Sequence, residues 1–449
     1  MADKHSQEHT EYNTYSDFLS EAITIPLFNY DKRKEDNQLN LLSLFSGCGG
    51  MDIGFEGGFI CHRKSIPVNK NWIGNNINKD WVLLKKNRFN TIFANDILNE
   101  AILTWSNYMK RFDKDTSVYH TESIVDLVKA HKTGAHIFPE HVDIVTGGFP
   151  CQDFSVAGKR KGFESDKGHD GKKHNTDIPT EETRGKLYYW MKQVIDITKP
   201  KVFVAENVKG LISLGDVRDI IQHDFANADG NGYIVLPPQV LHAGNYGVPE
   251  TRERVIFIGI RKNALRPEIQ SVLESDEIPQ HYNPYPTPTH NFNVNDNSLL
   301  EPVCCKDVLG ELNEPDDSLD LSHRFYSKAK YMGKHCQGQS EINLNGLGPT
   351  IRSEHHGNIE FRRLSEEHGG KNKEELANGL TERRLTPREC ALIQTFPPDY
   401  PFIKYKGYTK RFEVNQSGAY KVIGNAVPPV LAYNIARRLQ ELWPIYFGS

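Results

Sequence analysis

The sequence predicts an α/β fold, a mainly parallel sheet with helices on both faces, joined to a smaller loop-rich domain. Two observations carry this. From Leu39 onward, short apolar runs ending in glycine or an acid alternate with helical stretches, as strands buried on both faces do. After Ile260 the alternation stops, and residues 262–379 are rich in Pro, Asn, Gly and charge.

The elements follow in order. Residues 1–38 are polar and read as an N-terminal extension. "LNLLSLF" is a first strand ending at Phe45, "DWVLLKKN" a helix, and "TIFAND" a second strand ending at Asp96. "VDIVTGG" ends in glycines before Pro150 and Cys151, "KLYYWMKQVIDI" is helical, and "PKVFVAENV" and "RVIFIGI" are further strands. The expected limits are a larger domain over 39–261, a smaller one over 262–409, and a segment 410–449 that returns to the larger. The last part contains "VPPVLAYNIARRLQELW", a helix with an apolar face, preceded at 386–396 by "TPRECALIQTF", whose Thr-Pro is a helix start.

Composition narrows the function. The formal net charge is −4 over 449 residues, so the chain is not basic throughout, and any nucleic-acid surface has to be local. Between Leu321 and Arg363 it is local: Arg324, Lys328, Lys330, Lys334, Arg352, Arg362 and Arg363 outnumber the acids, whereas 272–320 is acidic. Seven scattered cysteines with no paired C-x-x-C argue against a disulfide framework and a structural metal. No apolar stretch approaches a membrane span and no secretory layout opens the chain, so a cytoplasmic location is expected.

Three places carry chemistry. "FSGCGG", Phe45 to Gly50, turns from the first strand into a helix, where backbone meets a nucleotide-like cofactor. It is also compatible with an ordinary tight turn, and the missing third glycine weighs against a dinucleotide-binding oxidoreductase. Cys151, in Pro-Cys-Gln at a strand end, is too polar in context for a core filler; a nucleophile near the cations of "AGKRKG" fits better than a metal ligand. Glu206, ending its own strand, is either a paired core acid or a functional one, and parallel neighbours would bring it beside Cys151. Arg252 and Arg254 read alone as surface charge at a strand entrance.

The ordered set "LFSGCGGMDIGFEGGF", "GGFPCQDFSVAGKRKGF", "TRGKL", "AENVKGL", "GNYGVPETRERVIFIGIR", "RRLTPRECALIQTFPPDY" and "YKVIGNAVPPVLA" resembles the DNA (cytosine-5) methyltransferase family over nearly the whole chain from Leu39. The likeness is to the compact bacterial or phage enzymes of restriction-modification systems. It implies a Rossmann-like S-adenosylmethionine-dependent methyltransferase sheet and a target cytosine flipped out of double-stranded DNA. Cys151 would attack C6, with Glu206 at N3 and the exocyclic amine and Arg252 and Arg254 assisting. Phe45, Ser46, Gly47, Cys48, Gly49, Ile77, Asp96, Ile97, Pro150, Leu187, Asn425 and Ala426 would line the cofactor pocket, with Asp96 accepting from the adenine amine. Ser155, Lys159 and Arg160, in a long basic loop from about Ser155 to Glu182, would bind DNA as the loop closes over the flipped base, the other reading of that loop's middle being a disordered insertion. Thr350, in a Thr-Ile pair resembling a target-domain signature, and Arg352, His355, His356 and Asn358 would meet bases or phosphates.

Two departures stand out. The family acid after the second strand, which holds the ribose hydroxyls, is replaced by Asn76, predicting cofactor binding weaker by about 1 kcal/mol. Glu250 stands where glutamine is usual. The family implies a monomer without a metal, with a cognate restriction endonuclease acting on the same site without direct contact. The rivals are an RNA cytosine-5 methyltransferase of the same fold and a catalytically silent DNA-binding relative.

Overall fold

The computed structural model describes residues 37–67, 70–112, 114–150, 187–213, 216–354 and 356–448. Its main sheet contains β1 (Leu39–Leu44), β5 (Phe89–Asn95), β6 (Tyr119–His120), β7 (Ile144–Gly148), β8 (Val202–Val208), β9 (Tyr233–Val235), β10 (Gln239–His242) and β11 (Glu253–Arg261). The order is β10-β11-β8-β7-β1-β5-β6, with β9 also on β11. The pairs from β8 to β6 are parallel, while β11 runs antiparallel to its neighbours.

Both faces of the central strands are buried. Val202 and Val204 of β8 join the cluster on one side, and Phe203 and Ala205 join the other, which is why these strands read as continuous apolar runs. On the first side the helices Gly50–Glu56 and Pro429–Phe447 pack together. On the second lie Ile124–Lys132, Leu187–Thr198 and Val217–Ala226.

One expectation needs correction. "DWVLLKKN" is no helix: β4 (Trp81–Leu84) pairs antiparallel with both β2 (Ile60–His62) and β3 (Ile73–Asn76) in a separate three-stranded sheet. Its Trp-Val-Leu-Leu core is too short for an amphipathic helix and suits a pleated, half-buried surface. Across the expected limits at 262 and 409 the two parts are hydrogen-bonded to each other. The Arg266 amide donates to the Tyr446 carbonyl at 2.9 Å, the Tyr285 hydroxyl to the Ile256 carbonyl at 3.0 Å, and the Tyr400 hydroxyl to the Cys48 carbonyl at 2.6 Å. Residues on the small-domain side of both limits are therefore bonded to the catalytic body.

Candidate active site

At the carboxyl ends of β1, β5, β7 and β8 the structure encloses a cavity of about 400 Å³, within the range of small-molecule and cofactor sites. Strand ends in an open α/β sheet gather ligands because loops and helix termini diverge there. One end of the cavity is the turn after β1. Phe45 adopts φ +52 and Gly47 φ +55, a region costly for an aromatic residue and free for glycine. The turn is held from outside: the Ser46 amide donates to the Asn95 carbonyl at 2.9 Å, the Gly47 amide to the Asp96 carboxylate at 3.0 Å, and the Tyr119 hydroxyl to the Gly47 carbonyl at 2.8 Å. A Cβ on Gly47 would meet no atom of the other described residues within 4 Å, so among them the space beside this backbone is left open.

The other end is acidic and basic at once. Parallel pairing sets Glu206 opposite Gly148, and the Asn207 amide holds the Phe149 carbonyl at 3.1 Å, fixing the chain just ahead of Cys151. Arg254 on β11 reaches across β8, its Nε 2.7 Å from Oε1 of Glu206. Burial pushes the Glu206 carboxyl up, and the guanidinium groups of Arg254 and Arg252 pull against it without reversing the direction. A desolvated acid held ready to be protonated is suited to donating a proton.

Phe45, Ser46, Gly47, Asp96, Ile97, Pro150, Leu187, Glu206, Arg254, Asn425 and Ala426 all line this cavity. Cys151 itself, with Ser155, Lys159, Arg160 and His355, lies outside the described residues. Sequence reasoning missed Ser123, Ile124, Asn207 and Lys421, which also line it; the Asn in "AENV" and the Lys in "YKVIGNAV" were within the quoted motifs, whereas Ser123 has no local signal.

Several expected residues stand elsewhere. Cys48 is buried, its thiol 3.3 Å from the Val422 carbonyl, and Gly49 (φ +82) faces Trp105, where a Cβ would stand 2.6 Å from the ring; both support the turn from behind. Arg252 is completely buried and donates to the carbonyls of Ile351, Gly424 and Ala426 at 2.7 to 2.9 Å. It therefore positions the segment around Asn425 and does not face the cavity. Glu250, equally buried, pairs with Arg252 at 3.4 Å and accepts from the Ile351 amide at 2.6 Å.

Asn76 and Ile77 are also displaced. Asn76 sits on exposed β3 and accepts from Arg63 at 2.9 Å. The three-stranded sheet is inserted between β1 and β5, and β5 is the strand that lies beside β1. The acid after the sheet's second strand is therefore Asp96, and the supposed departure at Asn76 disappears. The third strand in this direction is β6, after which come Ser123 and Ile124.

In the small domain, Arg352 is already committed to Glu360 at 3.1 Å, to Gln337 and to the Asn358 carbonyl. The Thr350 hydroxyl donates to the Thr251 carbonyl at 2.6 Å, and His356 is exposed. Arg362 and Arg363 do not face phosphate: both are buried and ion-paired with Glu375, and Arg363 also with Glu314. Among the described residues no group of three or more His, Cys, Asp or Glu could hold a metal, and no helix is long and apolar enough to cross a membrane.

The comparisons agree with this geometry. The family model for C-5 cytosine-specific DNA methylase matches residues 39–441. The chain is 31% identical over 423 residues to Type II methyltransferase M.BsuRI of Bacillus subtilis, covering 92% of this chain and 81% of that protein. It is 30% identical to M.BspRI of Lysinibacillus sphaericus, covering 94% and 86%. A solved DNMT2 variant from Spodoptera frugiperda shares the fold, with a TM-score of 0.51 at 16% identity over 90% of this chain and all of that one. The chain belongs to the C-5 cytosine-specific DNA methylases, enzymes that use S-adenosylmethionine to methylate cytosine in DNA.

Proposed function

We propose that this chain is the modification enzyme of a type II restriction-modification system, methylating C5 of one flipped-out cytosine within a short duplex sequence. The observation that carries it is the Glu206–Arg254 pair closing the same cavity that opens on the Gly47 turn. Relatives named Type II methyltransferases, matched along most of their length, support the restriction-modification assignment.

The Cys151 thiolate would bond to C6, moving ring electron density toward C5, N3 and the 2-oxygen. Protonated Glu206 would donate to N3, and Arg254 would hold Glu206 in place and stabilise charge at the 2-oxygen. C5 would then take the methyl group; solvent would take the C5 proton as the thiolate leaves C6, and N3 would return its proton to the Glu206 carboxylate, restoring the ring and the acid. S-adenosylmethionine supplies an electrophilic methyl group and carries no phosphate, which suits a turn lacking the third glycine. Its methionine part would lie along Gly47, and Phe45 would stack near the adenine. Asp96, by its place after the second strand, would take the ribose hydroxyls, leaving the adenine edge to the Ser123–Ile124 turn. The 155–182 loop and segment 350–358 are our candidates for closing over and reading DNA, acting as a cytoplasmic monomer alongside an independent endonuclease.

The test is base-resolution 5-methylcytosine mapping in an unmethylated host expressing the parent or Cys151→Ala. A short motif methylated only by the parent is expected. Methylation that persists in the variant would remove Cys151 as nucleophile, and none in either would remove duplex DNA as substrate.

A further inference from the structure

Away from the cavity, the hairpin 404–414 ends in an unusual tip. Tyr408 is fully exposed, and Lys404, Lys406, Lys410 and Arg411 around it are exposed, with no ion-pair partner among the described residues. A large aromatic ring left wholly in water beside four cations is not explained by packing.

The tip is nevertheless built to hold one shape. Tyr405 stacks on Phe412 with centroids 5.0 Å apart, and Phe325 meets Phe412 edge-on at 4.9 Å. The Lys406 amide donates to the Arg411 carbonyl at 2.8 Å, the Thr409 hydroxyl to the Lys406 carbonyl at 2.7 Å, and Gly407 takes φ +54. Order in a charged, unpartnered turn reduces the entropy lost when it meets an anionic partner.

Its neighbours set the face it belongs to. Phe325 begins the basic stretch containing exposed Lys328, Lys330 and Lys334. That stretch is bonded to the candidate reading segment, the Ser327 hydroxyl donating to the Gly357 carbonyl at 2.7 Å. On its other side the hairpin runs straight into the helix Gln416–Asn425, whose last residue lines the cavity. Ten helical residues span about 15 Å, and the eight residue steps from Tyr408 to Gln416 add up to about 26 Å. The tip is thus at most about 41 Å from the cavity by chain path, or about 12 base pairs of B-DNA at 3.4 Å each.

We infer that the 404–414 hairpin is an accessory DNA arm that binds the phosphate backbone of the substrate duplex outside the recognition sequence. Lys406, Lys410 and Arg411 contact phosphates, and Tyr408 packs against the sugar-phosphate edge. This rests on duplex DNA being the substrate. Its contribution is affinity without sequence information, as phosphate contacts give.

The test compares duplexes carrying the mapped target at the centre, one of about 12 base pairs, which ends about 20 Å from the target, and one of about 40, which extends past the longest reach of the tip. The parent is expected to bind the longer at least tenfold more tightly. The triple change Lys406→Gln, Lys410→Gln and Arg411→Gln should erase that gain and flatten the slope of log K against log salt on the long duplex by about 2.7, at about 0.9 per lost phosphate contact. Tyr408→Ala should lose part of it. Melting temperature and turnover on the short duplex should not change. A triple variant that keeps the salt slope of the parent on the long duplex overturns the inference, with or without a length gain. A variant that instead changes the sedimenting mass would make a second copy the occupant and also overturn it. A parent that binds and methylates no duplex at all would remove the enzyme reading itself, a separate and recognisable outcome.

Discussion

The Nε of Arg254 lies 2.7 Å from the Oε1 of Glu206, on neighbouring antiparallel strands, with both side chains about nine-tenths buried. Desolvation favours the neutral acid and the guanidinium favours the carboxylate; desolvation prevails, so the carboxyl stays above its ordinary value.

This balance predicts a pH signature. Glu206 donates only while protonated, so the single-turnover rate should fall as pH rises through its raised pKa. Arg254→Ala removes an influence that lowers that pKa, so the alkaline limb should move to higher pH while the maximal rate drops about 10²- to 10³-fold. Rate measurements at saturating cofactor, using the mapped duplex, check both. An alkaline limb that stays put would show that Glu206 is not the titrating group.

Asp96, with Oδ2 on the Gly47 amide and Oδ1 on the Leu98 amide at 2.9 Å, should carry cofactor affinity, and Asn76 should not. Asp96→Ala is expected to raise the cofactor Kd at least tenfold, the scale of about 1.5–3 kcal/mol for a charged hydrogen bond. Asn76→Glu should leave it within twofold. Calorimetric titration of both variants decides, and tighter binding by Asn76→Glu would return the ribose-side role to β3.

The buried pair Glu250 and Arg252 should behave asymmetrically. Burial pushes Glu250 up and Arg252 down, each toward neutrality. Arg252→Met strips three carbonyls of their donor and leaves an uncompensated acid, costing about 3–5 kcal/mol. Glu250→Gln keeps an acceptor for the Ile351 amide and should cost no more than about 1 kcal/mol. Denaturant unfolding of the two variants tests this; equal losses would mean the two groups act as one charge pair.

Asp52 offers a test of stability. It is fully buried, accepting from the Ser43 hydroxyl at 2.6 Å and the Trp105 indole at 2.8 Å, and desolvation raises it to about 6 against those bonds. The folded chain then binds more protons than the unfolded one between about pH 4 and 6, so its contribution to stability is lost as pH rises through that window. At pH 7 the cost is about 3 kcal/mol for a shift of about two units. Asp52→Asn can accept from Trp105 and donate to Ser43, so it should be stabilising at pH 7 by up to about 3 kcal/mol and neutral near pH 4. A pH-independent difference would refute the assignment.

Much was legible in the sequence because strand ends carry their chemistry in contiguous residues. The β1 turn at Phe45–Gly47, Glu206 ending β8 and Arg254 entering β11 needed only local patterns and an ordered motif set. The tertiary structure decided what depends on strand order. The inserted three-stranded sheet brings Asn76 ahead of Asp96 along the chain, while hydrogen bonding places β5, and hence Asp96, beside β1 in the main sheet. It also decided which charges are available: Arg252, Arg362 and Arg363 look like surface cations in one dimension, but burial commits them to carbonyls and carboxylates, while Tyr408 and its lysines are left in water. Sequence fixes which groups a chain has and their local geometry; only long-range packing determines which are desolvated and paired, because burial is shared between residues far apart in the chain.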